Sequence, residues 1–324
     1  MKIVFMGTPE FAVPPLRQLL AHHEVIAVLT QPDRPAGRGH KMQMSPVKAL
    51  ALEAGIEVLQ PETLIIKRHN ADNTAAKEIR DYLAKLNADI FVVAAYGLIL
   101  PKAVLSMPRL GCINIHASLL PKYRGASPIH MAIMDGETVT GITIMQMDTG
   151  IDTGDMILQR QLDIGPTERI QSLHDRMAAL GGECIVDALA EIEAGTAIYT
   201  PQDDAASSHA PMIKKTDALI NWAWPTAKIT NLIRAFDPWP GPHTLYKDTV
   251  IKIWQIEEAI STEEAPSGTI LVADPAKGLL VRTGDGAAWV QELQATGGKR
   301  MKVADYLRGR NIGVGERLCT TLRM

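Results

Sequence analysis

Residues 89–95 read DIFVVAA, a strand-length run with no polar side chain after its first position. A strand with one wet face alternates polar and apolar residues. A continuous apolar run instead needs cover on both faces, the situation of a central strand in a parallel sheet. The flanking sequence supplies the cover: Asn73–Leu86 carries Ala76, Ile79, Leu83 and Leu86 at helical spacing just ahead of it. The chain opens on the same alternation. Lys2–Met6 (KIVFM) suits a short strand, Gly7-Thr8-Pro9 a turn, and Val25–Leu29 a second buried strand. Between them, Pro14-Pro15 suit the first turn of a helix bearing Leu16, Leu19 and Leu20. Ser45-Pro46 resembles an N-cap with proline at the first helical position, opening a helix through Ala54. Further strands are expected at Gly111–His116, Gly141–Met147 and Met156–Leu162, and a helix at Arg169–Glu193. This alternation predicts an α/β fold: a Rossmann-like, doubly wound, mostly parallel sheet with helices on both faces.

At 324 residues the chain exceeds the roughly 250–300 at which single cores stop growing, so two domains are expected. Gly195–Ser208 (GTAIYTPQDDAASS) has few large apolar residues and many turn formers, which marks a linker. The boundaries are a first domain at 1–194, a linker at 195–208 and a second domain at 209–324. Past the linker, a helix at Pro225–Phe236 precedes short strand candidates at Val250–Ile256, Gly268–Val272, Leu279–Arg282 and Ala287–Leu293. Short strands at this spacing predict a smaller C-terminal β-barrel, of oligonucleotide-binding (OB-like) type. Residues 1–206 hold 18 Lys and Arg against 24 Asp and Glu, whereas 207–324 hold 15 against 12. A mildly basic second part on an acidic first part permits an anionic partner without requiring one.

Several classes are excluded. The opening MKIVFMGTPEF has too short an apolar run for a signal peptide or anchor, and Ile90–Leu100 is about half a membrane span. Cys112, Cys184 and Cys319 lie far apart with no CxxC pair, so they read as reduced thiols in a cytoplasmic protein. The first turn supplies only Gly7 of a GxGxxG fingerprint and no GK[ST] occurs, which argues against a bound dinucleotide or ATP. No His, Cys or carboxylate cluster has metal-ligand spacing, and no metal is expected.

The densest chemistry lies between Gly111 and Asp155. In Cys112-Ile113-Asn114-Ile115-His116 the side chains of Asn114 and His116 share one face of a strand, since residues two apart point the same way. At a strand's carboxyl end they would sit where open α/β sheets bind ligands. A buried polar pair is costly unless it meets a partner, which loop backbone could also supply. Downstream, Met147–Asp155 (MDTGIDTGD) places three carboxylates in a glycine-rich turn. They could be solvated turn aspartates, a calcium loop lacking the EF-hand order, or one inward-pointing partner for His116. Asp148-Thr149-Gly150 matches the aspartic-protease triplet, but no second copy supplies the second carboxylate such enzymes need.

Taken in order, GTPEF (7–11), QPDRPAGRG (31–39), AAYGLILP (94–101), Asn114-Ile115-His116, SLLPKYRGASP (118–128) and GIDTGDM (150–156) closely resemble the methionyl-tRNA formyltransferases. The likeness spans residues 1–200, and RAFDPWPG (234–241) resembles a segment of that family's second domain. The resemblance implies transfer of a formyl group from the co-substrate 10-formyltetrahydrofolate to the α-amino group of methionine on initiator methionyl-tRNA, for translation initiation. It implies Asn114, His116 and Asp152 as the catalytic residues. Ser118, Leu119, Leu120 and Pro121 would form a folate-contacting loop, and Tyr96, Gly97, Leu98 and Ile99 a groove for the pterin. Arg34, Arg38 and Lys41 would contact tRNA from an arginine-rich loop, with Lys214, Lys215 and Arg300 doing so from the second domain. The partners expected are initiator tRNA and folate, with no membrane, on a monomeric protein.

Overall fold

The computed structural model describes residues 1–36, 41–66, 73–247 and 249–319. The chain divides into two compact units whose segments interleave. One comprises Met1–Pro128, Val139–Asp163 and Leu173–Ala210; the other comprises Ile129–Thr138, Ile164–Ser172 and Pro211–Met324.

The first unit begins with β1 (Lys2–Gly7), α1 (Val13–His22) and β2 (Glu24–Leu29). Prolines in the first turn of α1 give up only amides that have no intrahelical acceptor there, and Leu16 and Leu19 bury its inner face. Two short strands, β3 (Arg34–Ala36) and β4 (Lys41–Gln43), follow and pair antiparallel where an arginine-rich loop is expected. In α2 (Pro46–Glu53) the Ser45 hydroxyl accepts from the Lys48 amide at 3.0 Å, the cap expected from Ser-Pro. Next come β5 (Val58–Leu59), α3 (Thr74–Lys85), β6 (Ile90–Ala94), α4 (Lys102–Leu105), β7 (Cys112–His116) and β8 (Arg124–Gly125). After α5 (Pro128–Met134) the unit resumes with β9 (Val139–Gln146) and β10 (Met156–Asp163), then with α6 (Ile170–Ala194) and β11 (His209–Ala210).

Seven strands form one sheet in the order β10-β9-β7-β6-β1-β2-β5. The five from β7 to β5 are parallel, and β9 and β10 add antiparallel at the edge. All five residues of β6 are buried, as its apolar run requires. From β1 the chain builds outward through β2 and β5, then returns to β6 on β1's other side, so strand order reverses between β1 and β6. Gly7 ends β1 where a Cβ would lie 2.8 Å from the Ala12 Cβ and 3.0 Å from the Ala94 carbonyl oxygen, so only glycine lets the turn pass β6.

Residues 195–208, whose composition suggests a linker, belong to the first unit and are held to it. Thr200 and Met156 exchange two backbone hydrogen bonds of 2.8 Å, and β11 pairs with β8. Turn-forming residues specify irregular backbone; they do not specify a lack of packing.

The second unit contains α7 (Thr226–Phe236), β12 (His243–Tyr246), β13 (Thr249–Ala259), β14 (Ile270–Asp274), β15 (Gly278–Arg282), β16 (Ala287–Ala295), β17 (Met301–Lys302) and α8 (Val303–Gly309). Its antiparallel sheet runs β12-β13-β16-β15-β14, with β17 beside β16, and makes a half-barrel. A late segment joins the two edges: Cys319 and Leu245 exchange hydrogen bonds of 2.8 and 3.0 Å, and Ile270 donates to the Glu316 carbonyl at 2.8 Å. Asp237 of the RAFDPWPG segment is buried and paired with Arg169 and with Arg300, the latter at 3.0 Å, while Arg300 also meets Glu292 at 2.7 Å. All three cysteines are free thiols, and burial raises those of Cys112 and Cys184, to about 12 and about 11. Among the described residues no helix is long and apolar enough to cross a membrane.

Candidate active site

Ligand sites in open α/β sheets form where strand order reverses, at the carboxyl ends of the flanking strands. Here those ends are Thr8, after β1, and Tyr96, after β6. The Thr8 hydroxyl donates to the Tyr96 carbonyl at 3.0 Å, and Gln31 Nε2 donates to the same oxygen at 3.2 Å. The Gln31 amide returns a bond to Thr8 Oγ1 at 3.3 Å, so three loops are tied across the crevice. Behind them, Lys48 Nζ meets Asp33 Oδ2 at 2.7 Å, and Gln60 Nε2 donates to Asp33 Oδ1 at 2.8 Å. The hydrogen bond from Lys48 holds the Asp33 carboxyl below the usual aspartate range.

One strand away, Asn114 and His116 lie on the same face of β7, as the two-residue period requires. His116 is 5% exposed. The turn after β9 brings Asp152 to both of them. Asp152 Oδ1 lies 3.5 Å from Asn114 Nδ2, and Oδ2 lies 3.7 Å from His116 Nδ1. The backbone of Asp152 is left-handed, with φ of 53°, and its Oδ2 accepts from the Gly125 amide at 2.8 Å. Asp148 instead closes its own turn, accepting from the Gly150 amide at 2.9 Å and from the Thr153 hydroxyl at 2.8 Å. Of the aspartates in MDTGIDTGD, the structure therefore joins Asp152 to His116. Gly154 makes the return possible, since a Cβ there would lie 1.8 Å from the Gln146 carbonyl oxygen.

His116 Nε2 lies 3.0 Å from the Tyr123 carbonyl oxygen. A carbonyl can only accept, so Nε2 carries a proton and Nδ1 is the ring atom that can gain or lose one. That Nδ1 faces Asp152, beside the amide of Asn114. The arrangement can donate a hydrogen bond to a developing oxyanion, accept a proton and return it, which are the requirements of acyl transfer to an amine.

The other expected site residues fall into groups. Ser118 is fully buried and its hydroxyl donates to the Lys122 carbonyl at 2.6 Å; Leu120 is also buried. Leu119 and Pro121 are half-buried, so the loop offers a ligand these two side chains and its main chain. Thr143, which sequence reasoning missed, shapes the loop by donating to the Ser118 carbonyl at 2.6 Å and accepting from the Leu120 amide at 3.1 Å. Tyr96 is 2% exposed and belongs to the same core cluster as Met6 and Phe91, while Leu98 is half-buried and Ile99 is 75% exposed. Gly97–Ile99 belongs to no strand or helix. Arg34, Lys214 and Lys215 are exposed. Arg38 and the side chain of Lys41 lie outside the described residues. Among the described residues no group of three or more His, Cys, Asp or Glu is gathered as a metal site.

Tyr123 and Gly125 lie in the SLLPKYRGASP segment, but their roles have no signal in residue type, because both act through backbone. Gln202 was hidden in the apparent linker. Its Nε2 donates to the carbonyls of Asp152 and Gly154 at 2.9 and 2.7 Å.

Residues 1–189 match the family described as formyl transferase, and 212–311 match the formyl transferase C-terminal domain. The chain is 47% identical over 322 residues to the methionyl-tRNA formyltransferase of Ruminiclostridium cellulolyticum, covering 98% of this chain and 99% of that one. It is 46% identical over 319 residues to the enzyme of the same name from Geobacter metallireducens, covering 98% of each. Among solved structures, an N-formyltransferase from Helicobacter canadensis in complex with folinic acid and dTDP-3-aminofucose shares the fold. Its TM-score is 0.63 at 20% identity, over 93% of this chain and all of that one.

Proposed function

This chain belongs to the methionyl-tRNA formyltransferase family, and from that premise we propose that it transfers the formyl group of 10-formyltetrahydrofolate to the α-amino group of methionine on initiator methionyl-tRNA. The product is the N-formylmethionyl-tRNA that starts translation, which makes the cytoplasm the expected compartment. The observation that carries the assignment of roles is the meeting of Asn114, His116 and Asp152 around one carboxylate.

The residues at the crevice fit a folate. Gly97–Ile99 offers peptide groups outside any ladder for the hydrogen-bonding edge of a pterin, and Leu98 and Ile99 offer apolar surface for its faces. Leu119 and Pro121 can add contacts from the neighbouring loop. The bound donor supplies the activated formyl carbon. Asn114 Nδ2 donates to the formyl oxygen, where negative charge grows as the amine adds. The amine must lose one proton and the departing folate nitrogen must gain one. His116, with Nε2–H committed to the Tyr123 carbonyl, takes up and returns that proton at Nδ1. Asp152, pinned by the Gly125 amide, keeps its carboxylate beside Nδ1 and stabilises the ring while it is cationic. Arg34, Lys214 and Lys215 are exposed cations suited to RNA phosphates. Arg300 is committed to Asp237 and Glu292 and is left out of that set.

The test is formylation of charged initiator tRNA by the purified chain with 10-formyltetrahydrofolate. Acid-stable N-formylmethionine on the tRNA is the expected product. No product with tRNA, combined with formylation of a nucleotide-linked amino sugar, would overturn the substrate assignment.

A further inference from the structure

Gln202 and Arg124 form a connection to Asp152 that the roles above do not use. Gln202 sits in the irregular segment after α6, held in place by the Thr200–Met156 bridge. Its Nε2 spans two carbonyls of the aspartate turn, those of Asp152 at 2.9 Å and Gly154 at 2.7 Å. Its Oε1 accepts from both Nε and Nη2 of Arg124, at 3.0 and 2.9 Å. The chemistry of the partners settles the orientation of this amide: carbonyls only accept and a guanidinium only donates. Arg124 is in turn oriented by Asp204 Oδ1, 2.8 Å from Nη2.

The residues on either side of Arg124 hold the other two fixed points. Tyr123 presents its carbonyl to His116, and Gly125 presents its amide to the Asp152 carboxylate. One three-residue segment thus sets the imidazole, the carboxylate and, through Gln202, the backbone carrying that carboxylate. The backbone needs such support. Asp152 is a non-glycine residue at positive φ, a conformation that aspartate tolerates better than most side chains but that still costs backbone energy its surroundings must offset. Released from the clamp, the turn can relax and draw Oδ2 away from His116.

We propose that Gln202, anchored by Arg124, is a positioning residue for the transfer reaction, holding the Asp152 turn in its left-handed conformation so that the carboxylate faces His116. The inference rests on the assignment of Asp152 to the reacting centre.

Three substitutions test it. Gln202→Glu keeps the acceptor for Arg124 but turns an acceptor toward the two carbonyls. Gln202→Met removes both pairings at similar size, and Asp152→Asn removes the carboxylate's charge. Displacing a reacting group by about 1 Å costs up to roughly 10²-fold. Both Gln202 variants should therefore lose about ten- to hundredfold in kcat for formylation, with the KM for the folate donor unchanged within about twofold. Their kcat–pH profile should also shift, because the carboxylate beside the imidazole has moved. Combined with Asp152→Asn, Gln202→Glu should cause little further loss, since it acts through a carboxylate already neutralised. If Gln202 were merely structural, the variants would lose thermal stability yet keep a wild-type pH profile. The losses would then multiply in the double variant. Either result overturns the proposal, as does wild-type kcat in both Gln202 variants. A fully active Asp152→Asn would instead sink the assignment of Asp152 itself, so the two failures are distinguishable.

Discussion

The carbonyl of Tyr123 accepts a hydrogen bond from His116 Nε2 at 3.0 Å, and this bond selects the ring nitrogen available for proton transfer. Asp152 lies on the other side of the ring, 3.7 Å from Nδ1. The imidazole is therefore oriented by backbone on one side and by a carboxylate on the other.

Replacing His116 by Ala or Asp152 by Asn should lower formylation turnover by about 10²–10⁴-fold, the usual contribution of a positioned acid–base group. Folate affinity, followed by equilibrium titration, should change little, because the crevice at Thr8, Gln31 and Tyr96 is built from other residues. Turnover near wild type in either variant would remove that residue from the mechanism.

A second expectation concerns the second unit. Asp285 caps α7 from the β15–β16 turn: its Oδ1 accepts from the Thr226 amide at 2.9 Å and from the Thr226 hydroxyl at 3.1 Å. The amide bond, the larger cause, holds the Asp285 carboxyl below its ordinary value of 3.8. A depressed carboxyl binds fewer protons folded than unfolded, so its contribution is complete above the ordinary value and is lost as pH falls through the folded one. Asp285→Ala should cost about 1 kcal/mol near neutral pH, the common size of a lost helix cap. The gap between wild-type and variant unfolding curves should close on acidification below pH 3.8. A gap that persists unchanged in acid would assign the loss to packing.

Salt dependence should separate the basic residues. Removing a cation that pairs with a phosphate reduces the slope of log affinity against log salt by about 0.7–0.9. Lys214→Ala with Lys215→Ala should flatten that slope for methionyl-tRNA. Arg300→Ala should leave the slope nearly unchanged and lower thermal stability instead, since Asp237 then keeps only one of its two guanidinium partners. An unchanged slope in the lysine variant would show that these two lysines do not meet phosphate.

Much of this protein can be read directly from its chain. The apolar run at Ile90–Ala94 requires cover on two faces, Ser45-Pro46 opens a helix, and Asn114 and His116 must share a face of β7. Each follows from backbone geometry acting within a few residues, where period two, period 3.6 and capping chemistry operate. Tertiary structure decided what those residues meet. Residue type and spacing in MDTGIDTGD do not distinguish Asp148 from Asp152, which only the family resemblance singles out; the fold separates them through Thr153 and Gly150 closing one turn and Gly125 receiving the other carboxylate. The tautomer of His116 depends on a backbone carbonyl, which leaves no trace in residue type. Gln202 and the edge-joining segment near Cys319 look like loop in sequence because their partners are distant: Gln202 meets Asp152 and Arg124, and Cys319 meets Leu245. Local patterns report only the geometry of neighbouring residues, whereas partners brought together by chain closure are decided by the folded packing as a whole.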